Sequence, residues 1–213
     1  MMKSVVFYTA LHRTGRRIKH TPVLLMNHCL RTMAFASTAP KNSINVAVVG
    51  VGLVGSEFIN QLLAFPKPSP FRIVSLSSSK INYFHPDGLS ITSEGWKSDL
   101  SSALNKLDFQ ALIRELSALV TPSTKVVLVD NTSSEEIANL YPTILKLGLE
   151  IITPNKKAYS GNLQLYNGIL SAGLESGARF LNEATVGAGL PIISTLKDLV
   201  ATGDKVILDG VVV

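Results

Sequence analysis

The chain has 213 residues, 46% hydrophobic and 16% charged, a balance that suits a folded core and excludes a disordered chain. No apolar run approaches the roughly 18 residues of a membrane span, and the single cysteine, Cys29, excludes an internal disulfide and a multi-cysteine metal site. The net charge of +5 is carried at one end: residues 1–42 hold seven Lys and Arg and no acid, so the rest is net −2 and a basic body for nucleic acid is not expected.

That leader carries Lys3, Arg13, Arg16, Arg17, Lys19, Arg31 and Lys41 among scattered Ser and Thr, a composition like that of an organelle transit peptide for a plastid or mitochondrion. The alternatives are a disordered basic tail or an upstream start, with Met33 opening a second one, and a cytoplasmic protein.

From residue 43 strands and helices alternate, which predicts an α/β fold with a doubly wound parallel sheet covered on both faces. The first strand, Asn45 to Val49, runs into Gly50-Val51-Gly52-Leu53-Val54-Gly55 and a helix from about Val54 to Ala64. Strand, Gly-x-Gly-x-x-Gly and helix in that order are the fingerprint of a dinucleotide-binding βαβ unit. Gly50 turns the chain off the strand, Gly52 lets a pyrophosphate approach bare backbone, and Gly55 lets the helix pack on the strand. The helix start adds free N–H groups and the positive end of a dipole. A tight βα turn with no ligand is the plainer reading of the same residues.

A second strand, Arg72 to Leu76, ends at Ser77-Ser78-Ser79-Lys80, with no acid between Glu57 and Asp87. An NAD site ordinarily places Asp or Glu there for the ribose 2′-hydroxyl. Serine hydroxyls and a lysine suit a 2′-phosphate instead, so NADP(H) is expected over NAD(H), with NAD(H) possible. A polar connection containing His85 and Trp96 follows, then an amphipathic helix from Asp108 to Leu119.

The strand Lys125 to Asp130 is almost wholly apolar, as a buried parallel strand should be. After it, Asn131-Thr132-Ser133-Ser134 offers hydroxyls and N–H groups to a nicotinamide or its ribose, or else only caps the next helix. Ser133 and Glu136 form a capping-box pattern for a helix to about Leu147, stopped by Gly148. A short strand, Glu150 to Thr153, leads to Pro154-Asn155-Lys156-Lys157, where a lysine past a strand end can point into a cleft toward phosphate or carboxylate, or simply be solvated. A helix from Leu163 to Glu175 and a strand from Arg179 to Asn182 precede Glu183-Ala184-Thr185-Val186-Gly187-Ala188-Gly189-Leu190-Pro191. That loop can turn several carbonyls toward one point beside one carboxylate, which suits a hard, monovalent cation; a glycine-rich hinge before a helix to about Ala201 is the alternative. Lys205 to Val213 reads as the start of a new strand.

Taken together, the glycine loop, Val129-Asp130-Asn131-Thr132-Ser133-Ser134, Thr153-Pro154-Asn155-Lys156-Lys157-Ala158 and Glu183 to Pro191 resemble homoserine dehydrogenases of the short, monofunctional type over residues 44–210. The resemblance implies a Rossmann NAD(P)-binding domain over 43–185 and the beginning of a substrate and dimerisation domain over 186–213, after the leader at 1–42. It implies reversible reduction of L-aspartate 4-semialdehyde to L-homoserine in threonine and methionine synthesis. It places the cofactor at Val51, Gly52, Leu53, Val54 and Thr132, puts Lys156 in the cofactor and substrate cleft, and gives sodium the Glu183 carboxylate and the carbonyls of Val186, Ala188 and Leu190. It also implies a homodimer at full length, and a general-acid lysine past the point that matches Val213. A fragment that holds NADP(H) without turnover, with an exposed apolar edge near its end, is therefore the alternative expectation.

Overall fold

The computed structural model describes residues 43–203; the basic leader and the expected strand over Lys205 to Val213 lie outside them. Within them a six-stranded sheet has the order β3-β2-β1-β4-β5-β6. The strands are β1 (Ser43–Val49), β2 (Phe71–Ser77), β3 (Asn82–Phe84), β4 (Thr124–Asp130), β5 (Glu150–Ile152) and β6 (Phe180–Leu181). All neighbours pair in parallel except β2 and β3. The helices are α1 (Leu53–Leu63), α2 (Trp96–Ser102), α3 (Phe109–Ser117), α4 (Glu135–Asn139), α5 (Tyr141–Lys146), α6 (Lys157–Ser160), α7 (Leu163–Ser176) and α8 (Ile192–Ala201).

The apolar runs of β1 and β4 are buried because helices cover both faces of the sheet. Ala47, Val49, Val126 and Leu128 meet Leu112, Ile113 and Leu116 of α3 and Ile144 and Leu145 of α5 in one core. Residues Leu112, Ile113 and Leu116 share one side of α3, as the 3.6-residue spacing requires. Each buried side chain of this size stabilises the fold by about 1.5–3 kcal/mol. Asp108 starts α3 by accepting the Ala111 N–H at 2.9 Å, and Asn162 starts α7 by accepting from Gln164 at 2.8 Å. Gly177 ends α7 with φ +71°, a left-handed cap.

The sheet departs from the all-parallel expectation at one edge. β3 turns back antiparallel beside β2, and Asn82 at its start accepts the hydroxyls of Ser75 and Ser77 through Oδ1 at 2.8 and 2.9 Å. This satisfies two hydroxyls that β2 buries. The single helix expected from Ser133 to Leu147 is broken at Leu140. Pro142 has no N–H to offer the carbonyl of Ala138, so the chain restarts as α5. The capping residue is Ser134, one position later than the expected Ser133, and its Oγ accepts from Ile137 at 3.3 Å. α2 was not expected; it is fastened by Trp96, whose indole N–H donates to Asn60 Oδ1 of α1 at 3.1 Å.

Candidate functional site

The carboxyl ends of β1, β4 and β5 carry three loops side by side, the position where open α/β sheets bind ligands. Gly50 leaves β1 with φ +86°, and a Cβ there would lie 2.8 Å from Thr132 Cγ2 and 3.0 Å from the Asn131 carbonyl carbon. A Cβ on Gly55 would lie 2.0 Å from the Gly50 carbonyl oxygen. Both positions are closed by the protein itself. Gly52 differs: a Cβ there would meet nothing within 4 Å. Its φ of −68° is open to any residue, so neither packing nor backbone geometry calls for glycine. The space beside it leaves room for an outside group against the main chain.

Gly52 is also the N-cap of α1, with no side chain closing the helix end. The first-turn N–H groups and the dipole therefore face the loop. Ser56 Oγ donates to the Val51 carbonyl at 3.0 Å, which fixes the loop from the helix side. Leu53 is 94% exposed and Val54 64% exposed at that helix start, two apolar side chains bare beside the loop. Behind it, the Asn131 amide nitrogen, Nδ2, is buried with no hydrogen-bond partner among the described residues. Open space at Gly52 and a bare helix end fit a pyrophosphate.

The loops after β4 and β5 are tied to each other. Asp130 is fully buried; its Oδ1 accepts the Thr132 N–H at 2.8 Å, and its Oδ2 accepts from Tyr141 Oη at 2.5 Å and Asn155 Nδ2 at 3.2 Å. Thr153 donates its hydroxyl to the Asp130 carbonyl at 2.8 Å, and Asn155 Nδ2 also donates to the Ser134 carbonyl at 2.9 Å. Burial pushes the Tyr141 phenol well above its ordinary range, and the neighbouring Asp130 adds to this. Thr132 accepts the Ser134 N–H through Oγ1 at 3.1 Å, so its hydroxyl shapes a turn and the capping falls to Ser134. Tyr141 and Asn155 are structural members of the site that the sequence reading missed. Asp130 and Asn155 lie within the strand-end motifs, and the signal for Tyr141 is a polar tip on an otherwise apolar helix face.

Lys156 stands at the N-terminal edge of α6, exposed, at the same end of the sheet as the glycine loop. Among the described residues no hydrogen bond or ion pair engages its ammonium. Lys125 and Arg179, by contrast, are occupied at the other end by Glu150, at 2.7 Å each.

Beyond β6, Glu183 opens a 3₁₀ turn (Glu183–Thr185), and its carboxylate accepts the N–H groups of Ile193 at 2.8 Å and Ser194 at 3.1 Å. It thus caps the start of α8, a role not foreseen for it. Gly187 and Ala188 follow one another in the left-handed region, at φ +70° and +52°, turning the loop that carries the Val186, Ala188 and Leu190 carbonyls back on itself. The Leu190 carbonyl already accepts the Ile192 N–H at 2.9 Å. Among the described residues no group of three or more His, Cys, Asp or Glu is placed to hold a metal, so an ion here would rely on carbonyls. No helix of the described residues is long and apolar enough to cross a membrane.

The chain's relatives agree with this geometry. The family model for the homoserine dehydrogenase NAD-binding domain matches residues 50–183. Homoserine dehydrogenase of Schizosaccharomyces pombe is 41% identical over 82% of this chain and 47% of its own length; that of Saccharomyces cerevisiae is 41% identical over 76% and 45%. The chain therefore spans under half the length of these relatives. A Candida auris crystal structure of unknown function superposes with a TM-score of 0.68 at 42% identity, over 77% of this chain and 45% of that one. A hyperthermophilic archaeal homoserine dehydrogenase solved in complex with NADPH shares the fold, with a TM-score of 0.54 at 24% identity over 72% of this chain and 48% of that one. With the glycine loop, the tied strand ends and the matched segment all falling on the same residues, the chain belongs to the homoserine dehydrogenase family and carries its NAD-binding domain.

Proposed function

We propose that this chain supplies the coenzyme half of an NADP(H)-dependent homoserine dehydrogenase, which interconverts L-aspartate 4-semialdehyde and L-homoserine in threonine and methionine synthesis. The observation that carries the reading is the contrast within the loop: Gly50 and Gly55 are closed by protein atoms, whereas Gly52 is open. The backbone of Val51, Gly52, Leu53 and Val54 and the bare start of α1 receive the pyrophosphate, with Gly50 and Gly55 shaping the turn. Thr132 lines the nicotinamide side. Lys156 offers its ammonium to coenzyme phosphate or to the substrate carboxylate. A bound nicotinamide would supply hydride chemistry at the aldehyde carbon, and the proton that the reduced oxygen needs would come from a donor that we assign to the substrate domain.

In the same reading, residues 43–185 form the coenzyme domain and 186–213 open the substrate and dimerisation domain of a homodimer. In support, no residue of α8 is fully buried against the coenzyme fold. Sodium binds beside Glu183, chiefly at the carbonyls of Val186, Ala188 and Leu190, where it steadies the junction. The left-handed Ala188 supports this, since a non-glycine residue in that region costs about 1–3 kcal/mol and persists where something holds it. The basic leader directs the protein to an organelle.

The test is a titration of the chain with NADPH and NADH followed by coenzyme fluorescence. Saturable binding that Gly52→Ala weakens supports the reading; absence of binding to either coenzyme refutes it. NADPH oxidation with the semialdehyde, assayed on a protein of the relatives' full length in sodium and in choline buffers, tests the reaction and the ion.

A further inference from the structure

Beyond the loops just described, the end of β2 is built as a small, pre-formed platform. Gly50 donates its N–H to the Ser77 carbonyl at 2.9 Å, so the glycine loop abuts the last residue of β2. The following turn is already closed: Ser78 N donates to the Ile81 carbonyl at 2.9 Å, while Ser78 Oγ accepts the N–H groups of Ile81 at 3.1 Å and Lys80 at 3.3 Å. Ser79 and Lys80 stand exposed on it. A distant segment, the connection from α2 to α3, is fastened alongside. Ile81 forms an antiparallel bridge with Lys106, Leu107 N donates to the Lys80 carbonyl at 2.9 Å, and Asn82 N donates to the Asn105 carbonyl at 3.0 Å.

These pairings run through the backbone and bring Lys106 beside a turn 25 residues earlier in the chain. Lys106 is exposed, as Lys80 is, and among the described residues no hydrogen bond or ion pair engages either ammonium. The nearest acid in sequence, Asp108, is turned onto its own helix, where it accepts from Ala111 at 2.9 Å. The tie between Asn105 and Asn82 also connects this segment to the buried Ser75–Ser77–Asn82 cluster under the turn. Two exposed lysines thus stand on one backbone-tied platform, next to the loop that we assign to the pyrophosphate. The adenosine ribose lies at this end of β2 in a dinucleotide-binding unit.

We infer that Lys106 is a specificity-determining residue for the coenzyme: with Lys80 it binds the 2′-phosphate that distinguishes NADPH from NADH, so the α2–α3 connection forms one wall of the ribose-phosphate site. The inference rests on the dinucleotide reading above and adds to it a residue that no local motif marks. Two cations from different segments hold a dianion, whereas the 2′-hydroxyl of NADH gives them nothing to neutralise.

The experiment compares NADPH and NADH dissociation constants for the unaltered chain, Lys106→Ala, Lys80→Ala and the double variant, with Lys67→Ala as a control for net charge. The expected result is a five- to tenfold loss of NADPH affinity in K106A, about what a partly exposed charged contact provides. NADH affinity stays unchanged. The double variant binds both coenzymes alike, K67A keeps the original ratio, and the salt sensitivity of NADPH binding is shallower in K106A. An unaltered NADPH-to-NADH ratio in K106A overturns the inference, as does an equal loss for both coenzymes, while binding of NADH in either case leaves the dinucleotide reading standing. Absence of binding to either coenzyme by the unaltered chain removes that reading and this one together.

Discussion

Replacing Gly52 with alanine separates folding from binding in a single methyl group. The backbone there has φ −68° and ψ −159°, extended geometry that alanine adopts, and the new Cβ has no neighbour within 4 Å. In the free protein the change therefore acts mainly on the unfolded chain. Gly→Ala at a compatible site stabilises by about 0.4–1 kcal/mol, and the loss of a favoured N-cap residue at the start of α1 offsets this by a similar amount. Tm is therefore expected to stay within a few degrees of the original. In the complex the methyl group occupies the space that we assign to the pyrophosphate. Forcing a methyl group into a close-packed contact costs about 1–3 kcal/mol, which is roughly 5- to 150-fold in affinity. Thermal unfolding followed by circular dichroism, beside a fluorescence titration with NADPH, reads both quantities on the same sample. A G52A protein that keeps its Tm and also binds NADPH as tightly as the original chain would refute the assignment of the loop. The comparison is sharpened by Gly55→Ala, whose Cβ would sit 2.0 Å from the Gly50 oxygen. That variant must push α1 off β1, and it is expected to lose about 3 kcal/mol or more of stability together with binding.

Tyr141→Phe removes the 2.5 Å donor to buried Asp130 and should cost about 1.5–3 kcal/mol in urea unfolding, the range for hydrogen bonds to charged groups. The folded phenol is held above its unfolded value of 10.0, so the fold loses stability as pH rises past 10, and Y141F should show a flatter alkaline decline. At the other end of the pH scale, burial pushes Glu150 up, but hydrogen bonds from Arg179 and Lys125 outweigh it and hold the carboxyl below its usual value. Its stabilisation is present above that usual value and is lost as pH falls through the folded one. Glu150→Gln should therefore remove part of the acid dependence below pH 4.5 in denaturation curves. Glu183→Ala uncaps α8 and should lower its amide-exchange protection by about 1 kcal/mol while leaving β1 and β4 unaffected.

How far the site could be read beforehand follows the range of the interactions. The glycine loop was legible because its requirements are local: one strand, three glycines, one helix. β4 was legible because burial on both faces leaves a continuous apolar run. Residues Asn82 to Phe84 make only a three-residue strand, too short for periodicity to register, and only the pairing with β2 reveals it. The break at Leu140 was foreshadowed by Pro142, whose missing N–H outweighed the helical spacing around it. The Tyr141–Asp130 bond and the placement of Lys106 beside Ile81 join residues 11 and 25 positions apart, on elements whose meeting depends on the whole sheet. No short window of sequence carries that information. Glu183 was singled out for its lone charge among small residues; that it would face the start of α8 depended on the turn at Gly187 and Ala188.

The buried carboxylate of Asp130 clamps the mouths of β4 and β5 into a single block. The backbone of Thr132 and the segment leading to Lys156 are therefore tied to each other through one side chain. An enzyme built on this floor would hold its reactants in register by moving the roof, and any hinge belongs past β6, in the segment that leads to α8. Loosening the floor, for instance by replacing Asn155, would blur the alignment of the two reacting partners before it noticeably weakened the hold on either one.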